Sequence, residues 1–75
     1  MKGHVIARKL AIDTIYVLVE DGTVTTIETS DAETFEKNDI VTGELQCLGS
    51  EDFYNQTQKF QFDGFVQDIF GRLRQ

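Results

Sequence analysis

The dipeptide Asp21-Gly22 separates two runs that are rich in β-branched and aromatic residues, and this arrangement constrains the fold more than any other feature of the chain. The first run covers residues 12–20 and the second covers residues 23–29. Such runs are typical of β-strands, and Asp-Gly favours a tight two-residue turn because both residues tolerate positive φ angles. The sequence therefore predicts a β-hairpin.

With the Asp-Gly pair alone as its loop, the hairpin has a defined register. Val19 is expected opposite Val24, and Tyr16 opposite Ile27. Apolar side chains then lie on both faces: Ile15, Val17, Val19 and Val24 on one, and Tyr16, Leu18 and Ile27 on the other. A strand pair that is apolar on both faces needs a second cover besides the core, which can be a helix, a curled sheet or a second subunit.

Three further segments predict strands, and they cover residues 3–11, 40–48 and 57–62. In the second of these, Val41, Leu45 and Cys47 share one face, so we expect Cys47 to be a core residue. In the third, Phe60 and Phe62 are expected to point inward. The residues between the last two strands, 49–56, are expected to form a polar loop.

Helical patterns occur in three places. The segment Ser30–Glu33 matches a capping box, which predicts one to two helical turns over residues 31–37 with Phe35 packed into the core. A helix over residues 5–10 is the alternative to the first strand. Residues 65–73 fit either an amphipathic helical turn or a final strand, and both possibilities remain open at this point.

Together these elements predict a mainly β (α+β) fold. The expected architecture is a small curved antiparallel sheet or a partly open five-stranded barrel of the SH3-like or OB-like kind, with one short helix between strands. The resemblance is architectural, because no family motif covers any stretch of the chain. With 75 residues, the sequence is expected to form one small barrel-like domain over residues 1–75.

The residues that usually carry catalysis or bind metals are few in this chain. His4 is the only histidine and Cys47 the only cysteine, which excludes a disulfide framework and a Cys/His zinc module. The acidic residues lie in groups, such as 31–39 and 51–52, that do not match a calcium-binding loop. We therefore expect no enzyme, no cofactor and no metal site.

The overall charge restricts the partners. Thirteen acidic residues against seven basic ones give a net charge of −6. A chain so short of cations is not expected to bind nucleic acid directly, because it cannot neutralise several phosphates. No apolar run approaches the ~20 residues that span a bilayer, and the N-terminus lacks a signal-peptide pattern, so a cytoplasmic protein without a membrane partner is expected.

The aromatic content points to a function. Six Phe and two Tyr residues are more than a small barrel is expected to shield. The leading hypothesis is a non-enzymatic protein-interaction module that self-associates, most simply as a two-fold homodimer. The predicted interface residues are Tyr16, Leu18, Phe53, Tyr54, Phe65, Ile69 and Phe70.

Two alternatives follow from the same composition. An acidic chain can imitate nucleic acid and block a DNA- or RNA-binding protein by covering its basic surface. Alternatively, a small ligand can bind at a subunit interface, in a pocket lined by Tyr16, Phe62 and Phe70. A continuous acidic surface in the folded protein would favour the first alternative.

Overall fold

Six antiparallel strands make up the fold in the computed structural model, which describes residues 1–71. The strands are β1 (Lys2–Lys9), β2 (Thr14–Val19), β3 (Val24–Glu28), β4 (Ile40–Gly43), β5 (Gly49–Asn55) and β6 (Phe60–Gly71). They form a closed barrel in the order β1-β2-β3-β6-β5-β4, with β4 pairing back to β1. The predicted small β-barrel is thus confirmed, with six strands rather than five.

The barrel interior is filled by apolar side chains from every strand and from two connections. They are Val5, Ile15, Val17, Val19, Ile27, Ala32, Phe35, Val41, Leu45, Phe53, Phe62 and Val66. Three rings form the centre of this core: Phe35 meets Phe62 edge-on at a centroid distance of 4.7 Å, and Phe53 stacks on Phe62 at 5.3 Å. The prediction that Phe35 packs into the core is confirmed.

The hairpin predicted around Asp21-Gly22 is present, but its register differs by one residue. Val17 pairs with Thr25, whereas the predicted register pairs it with Thr26. The loop contains three residues because Gly22 has a φ of 90° and its N–H donates to the carbonyl of Val19 at 2.8 Å. A turn followed by a glycine in this conformation is a common three-residue hairpin loop.

This shift exchanges the two faces of β3, since side chains alternate along a strand. Ile27 pairs with Ile15 and faces the barrel interior, whereas Val24 pairs with Leu18 on the other face, where it is still only 8% exposed. The predicted assignment of these two residues to faces is therefore wrong. Thr25 is also inside, where its hydroxyl donates to the carbonyl of Leu45 at 2.7 Å. Ile15, Val17 and Val19 share one face of β2 as predicted, and all three are buried.

Helical structure within residues 1–71 consists of two 3-10 turns, Leu10–Ile12 and Ala32–Thr34. Neither turn has the length or apolar character required to cross a membrane. The helix considered over residues 5–10 is a strand instead.

The predicted helix over residues 31–37 is reduced to the second of these turns. Its capping box does not form, because Asp31 occupies the N-terminal position and makes no side-chain cap hydrogen bond. The backbone becomes extended at Phe35, with φ −75° and ψ 146°, and Arg8 donates to its carbonyl at 2.5 Å. The connection is therefore a loop held to β1 rather than a helix.

The segment between β4 and β6 differs most from the sequence prediction. β4 ends at Gly43, where φ is 144° and a Cβ atom would lie 2.7 Å from the ring of Phe53. The chain turns away there, so Cys47 lies in an exposed loop and the prediction of a core cysteine is wrong. The predicted polar loop over residues 49–56 is wrong as well, because most of it forms β5.

β6 combines the end of the strand predicted over residues 57–62 with most of the segment over residues 65–73, for which the sequence predicts either a helical turn or a strand. It pairs with β5 along one side and with β3 along the other. The inward positions of Phe60 and Phe62 are confirmed, since Phe62 is buried and Phe60 packs against the core. The strand alternative for the tail is correct up to Gly71, and residues 72–73 lie outside the described residues.

Candidate protein-docking face

β6 lies between β3 and β5, and the outward side chains of these three strands form a continuous surface. We call this surface the β6 face, and it comprises Thr26, Glu28, Ser50, Asp52, Tyr54, Gln61, Asp63, Phe65, Asp68 and Phe70. Strand pairing places Glu28 and Ser50 on either side of Phe65. The same pairing places Asp52 directly opposite Asp63 in the neighbouring row.

Three aromatic rings of the β6 face are in contact with solvent. Tyr54 is 40% exposed, Phe65 49% and Phe70 57%. Phe70 also has a φ of 57°, a backbone conformation that bulky side chains rarely adopt and that costs about 1–3 kcal/mol. The fold thus presents these rings outward even where the backbone conformation is unfavourable.

The charges of the β6 face all have one sign. Glu28, Asp52, Asp63 and Asp68 are exposed on it, and the sequences of β2, β3, β5 and β6 contain no Lys or Arg. The basic residues within the described part of the chain are Lys2, Arg8 and Lys9 on β1, Lys37 in a loop, and Lys59 in the turn before β6. Because β1 and β6 are three strands apart in a six-stranded barrel, the basic strand lies opposite the acidic face.

An open cleft of about 370 Å³ adjoins Phe65. Asp13, Glu28 and Asp63 contribute carboxylates to its wall, and Ser50 contributes a hydroxyl. A cation can be bound by the face of an aromatic ring and by carboxylates together. The cleft therefore has the chemistry to accept an ammonium or guanidinium group.

A second surface lies on the opposite side of the barrel. Ile40, His4 and Leu18 form a row across β4, β1 and β2, because His4 pairs with both of the others. These half-buried side chains line a groove of about 340 Å³ that we call the β1 groove, with Lys2 and Glu20 also in its wall. Unlike the β6 face, this groove carries charges of both signs.

The seven residues predicted to form one interface are divided among three places. They are Tyr54, Phe65 and Phe70 on the β6 face, Tyr16 and Leu18 on the outer face of β2, and Phe53 and Ile69 packed in or against the core. Assigning Phe53 to an interface is wrong, because its ring is 2% exposed and stacks inside the barrel. The remaining residues do not form a single patch, since β3 separates β2 from β6.

The residues proposed to line a ligand pocket are not brought together either. Phe62 is inside the barrel and 3% exposed, whereas Phe70 is on the outside. Tyr16 lies on β2, beyond the intervening β3. A pocket lined by these three side chains does not exist in this fold.

The single cysteine is exposed but poorly suited to nucleophilic chemistry. A hydrogen bond with Glu51 raises the pKa of the Cys47 thiol, and the negative charges of Glu51 and Glu44 add to this effect. The thiol is therefore protonated at neutral pH, whereas the thiolate is the reactive form. Within residues 1–71, no group of three or more His, Cys, Asp or Glu side chains is arranged to hold a metal ion.

The acidic composition allows a continuous acidic surface, but it does not show that Glu28, Asp52, Asp63 and Asp68 are the residues that form one. The signal was present in the alternation of Ser50, Asp52 and Tyr54, and of Asp63 and Phe65, with residues that point inward. Local preference favours a loop over residues 49–56, so this alternation does not by itself predict a strand there. Only strand pairing brings Asp52 next to Asp63.

The strand order and the surface define the class of protein: a closed six-stranded antiparallel barrel with an acidic, aromatic outer face. Comparisons with protein-family models, with curated proteins and with solved structures gave no match. The function is therefore argued from the surfaces of this chain.

Proposed function

We propose that this chain is a non-enzymatic protein-interaction module that docks through the β6 face. The observation that carries this proposal is the exposure of Tyr54, Phe65 and Phe70, between 40% and 57%, outside a barrel that already has a filled core. Exposed aromatic side chains are enriched at interfaces, and aromatic residues often contribute most of the binding free energy.

The surroundings of the rings also fit an interface. Typical interfaces combine apolar anchors with a polar rim that remains partly solvated. On the β6 face, Ser50, Gln61 and Thr26 provide hydroxyl and amide groups between the rings and the carboxylates. A standard interface buries about 800 Å² per partner, which is about a sixth of the 4690 Å² surface of this molecule.

The double substitution F65S/F70S tests the proposal. A photo-crosslinking amino acid at position 65 first captures the partner from an extract of the source cells, and mass spectrometry identifies it. The purified partner is then titrated calorimetrically with the wild type and the variant. One anchor residue contributes about 2 kcal/mol or more, which is about 30-fold in affinity. We therefore expect F65S/F70S to bind at least about 30-fold more weakly, and close to 1,000-fold where both rings are anchors and their contributions add.

The chain offers a matched control in L10S/I12S, which also removes two exposed apolar side chains, 49% and 54% exposed, but from the first 3-10 turn. It is expected to bind like the wild type, and both variants are expected to keep the wild-type midpoint in urea. Equal binding by F65S/F70S and the wild type would show that the β6 face is not the docking surface.

Self-association is a second candidate function, and the β1 groove favours it. A two-fold contact buries the same patch of both copies, so that patch must be complementary to itself. In the β1 groove, Lys2 of one copy can face Glu20 of the other while the apolar row around Leu18 is covered. A two-fold contact through the β6 face would instead place carboxylates against carboxylates.

Leu18→Glu tests this second candidate. We expect sedimentation of the wild type at concentrations up to ~1 mM to reveal a dimer. A dimer with a dissociation constant of ~1 mM has a binding free energy of about −4 kcal/mol. The variant is expected to remain monomeric, because a carboxylate would enter the apolar row. Gln61→Glu adds the same charge on the β6 face and is expected to dimerise normally; a wild type that stays monomeric throughout this range would refute the candidate.

A further inference from the structure

We infer that the partner of the β6 face presents a basic protein surface rather than a second copy of this chain. This inference rests on the proposed function, because it names the chemistry of the partner for the same face. It is drawn from the distribution of charge, the pairing of two carboxylates and the groups around Phe65.

Charge is separated around the barrel. The β6 face carries Glu28, Asp52, Asp63 and Asp68, and the three strands that form it contain no Lys or Arg. The cations of the strands are all on β1, on the opposite side. A partner that contacts the outer side chains of β3, β5 and β6 therefore meets these four carboxylates, and a positive surface complements them.

Asp52 on β5 pairs directly with Asp63 on β6. Like charges directly opposite each other on adjacent strands destabilise a sheet. Both side chains are exposed and point to the same side of the barrel. A cationic group from a partner that lies between them would remove this repulsion, so the complex would recover stability that the free barrel lacks.

Phe65 is 49% exposed beside a cleft that is lined by three acidic residues, Asp13, Glu28 and Asp63. Glu28 flanks the ring on β3, and Asp63 is two residues away on β6. An arginine side chain can stack its planar guanidinium on an aromatic ring and donate to carboxylates at the same time. This combination of groups fits a cationic side chain better than it fits an apolar one.

The same charges disfavour the other occupants of the face. Two copies related by a two-fold axis would bring Asp52 and Asp63 against their own equivalents, and like-charge contacts of this kind suppress association. A nucleic acid would bring phosphates to the same carboxylates. A basic protein surface is the occupant whose charge complements the face.

A peptide of ten arginines is a suitable probe, with a peptide of ten glutamates as its control. The ¹⁵N-labelled protein is titrated with each at about 0.15 M salt, where the screening length is about 8 Å. We expect the arginine peptide to shift the amide signals of Asp52, Asp63 and Phe65 most strongly. We expect the glutamate peptide to leave them unchanged.

Two variants with equal charge separate the β6 face from general acidity. D52N/D63N removes two carboxylates from the face and is expected to bind the arginine peptide at least 10-fold more weakly. E33Q/E36Q removes two exposed carboxylates near the second 3-10 turn and is expected to bind like the wild type. The inference is overturned if the two variants bind equally, or if the shifts are centred outside the β6 face.

These outcomes are distinct from failure of the proposed function. A partner captured at position 65 that loses affinity with F65S/F70S, but is neither displaced by the arginine peptide nor weakened by added salt, would refute the basic partner and leave the docking face in place. A partner that binds F65S/F70S like the wild type would refute the docking face itself.

Discussion

Phe35→Ala is expected to cause the largest loss of stability of any substitution considered for this chain, about 3–5 kcal/mol. The ring is fully buried, and its centroid lies 4.7 Å from the ring centroid of Phe62 and 5.4 Å from that of Phe60. A 75-residue chain typically has a free energy of unfolding of about 4–11 kcal/mol, so this loss is a large part of the total. Each kcal/mol corresponds to a decrease in Tm of about 4–8 °C.

Urea unfolding followed by circular dichroism measures this effect. Phe65→Ala is the matched control, because it removes the same ring from the outside of the barrel, where it is 49% exposed. The control is expected to change the free energy of unfolding by less than about 0.5 kcal/mol. Similar losses for the two variants would contradict the placement of Phe35 at the centre of the core.

Asp39→Ala is expected to have the second largest effect, a loss of about 2–3 kcal/mol, because it leaves the buried amide of Asn55 and two partly buried donors without an acceptor. Asp39 is only 4% exposed, and one of its carboxylate oxygens accepts three hydrogen bonds. The donors are the amide of Asn55 at 2.9 Å, the amide of Gln58 at 2.6 Å and the backbone N–H of Glu36 at 3.0 Å. This network joins the loop before β4 to the turn between β5 and β6.

The pH dependence of stability provides an independent test of the same network. Burial acts to raise the pKa of Asp39, but the hydrogen bonds from Asn55, Glu36 and Gln58, with the charge of Arg8, lower the pKa below its usual 3.8. A carboxyl whose pKa is lower in the folded than in the unfolded state stabilises the fold above its unfolded pKa. That contribution is therefore present above about pH 3.8 and is lost as the pH falls through the lower folded pKa.

Urea unfolding at neutral and acidic pH checks both expectations. Asp39→Asn keeps one acceptor oxygen and removes the titration, so its loss of stability relative to the wild type is expected to shrink at low pH. Glu36→Ala removes an exposed carboxylate from the same loop and is expected to leave stability nearly unchanged. An Asp39→Asn difference that is constant across this pH range would exclude the carboxylate as the titrating group.

The candidate site shows where prediction from sequence reaches its limit. The outward exposure of Tyr54, Phe65 and Phe70 agrees with the surplus of aromatic residues that composition indicates. Phe53 has the same local signal as Tyr54, but alternation along β5 turns its ring into the core. Composition counts rings, whereas the facing of each ring depends on whether its segment is paired as a strand.

Residues 49–55 illustrate the same limit for the fold. Their sequence, Gly-Ser-Glu-Asp-Phe-Tyr-Asn, is mostly polar and has weak β-propensity, so local preference favours a loop. They form a strand because β6 pairs with them along their whole length and β4 pairs with their end. Hydrogen bonds from two neighbouring strands outweigh a local preference that spans about 1 kcal/mol per residue at most.

What the sequence determined by itself is local: the hairpin around Asp21-Gly22 and the strand character of the apolar alternating runs. These follow from turn chemistry and from the two-residue period of a strand, which act between neighbours in the chain. The tertiary structure alone decided the exposure of Cys47 and the assembly of the acidic β6 face. Each of these depends on which distant strand supplies the hydrogen bonds, and barrel closure determines that pairing for all six strands together.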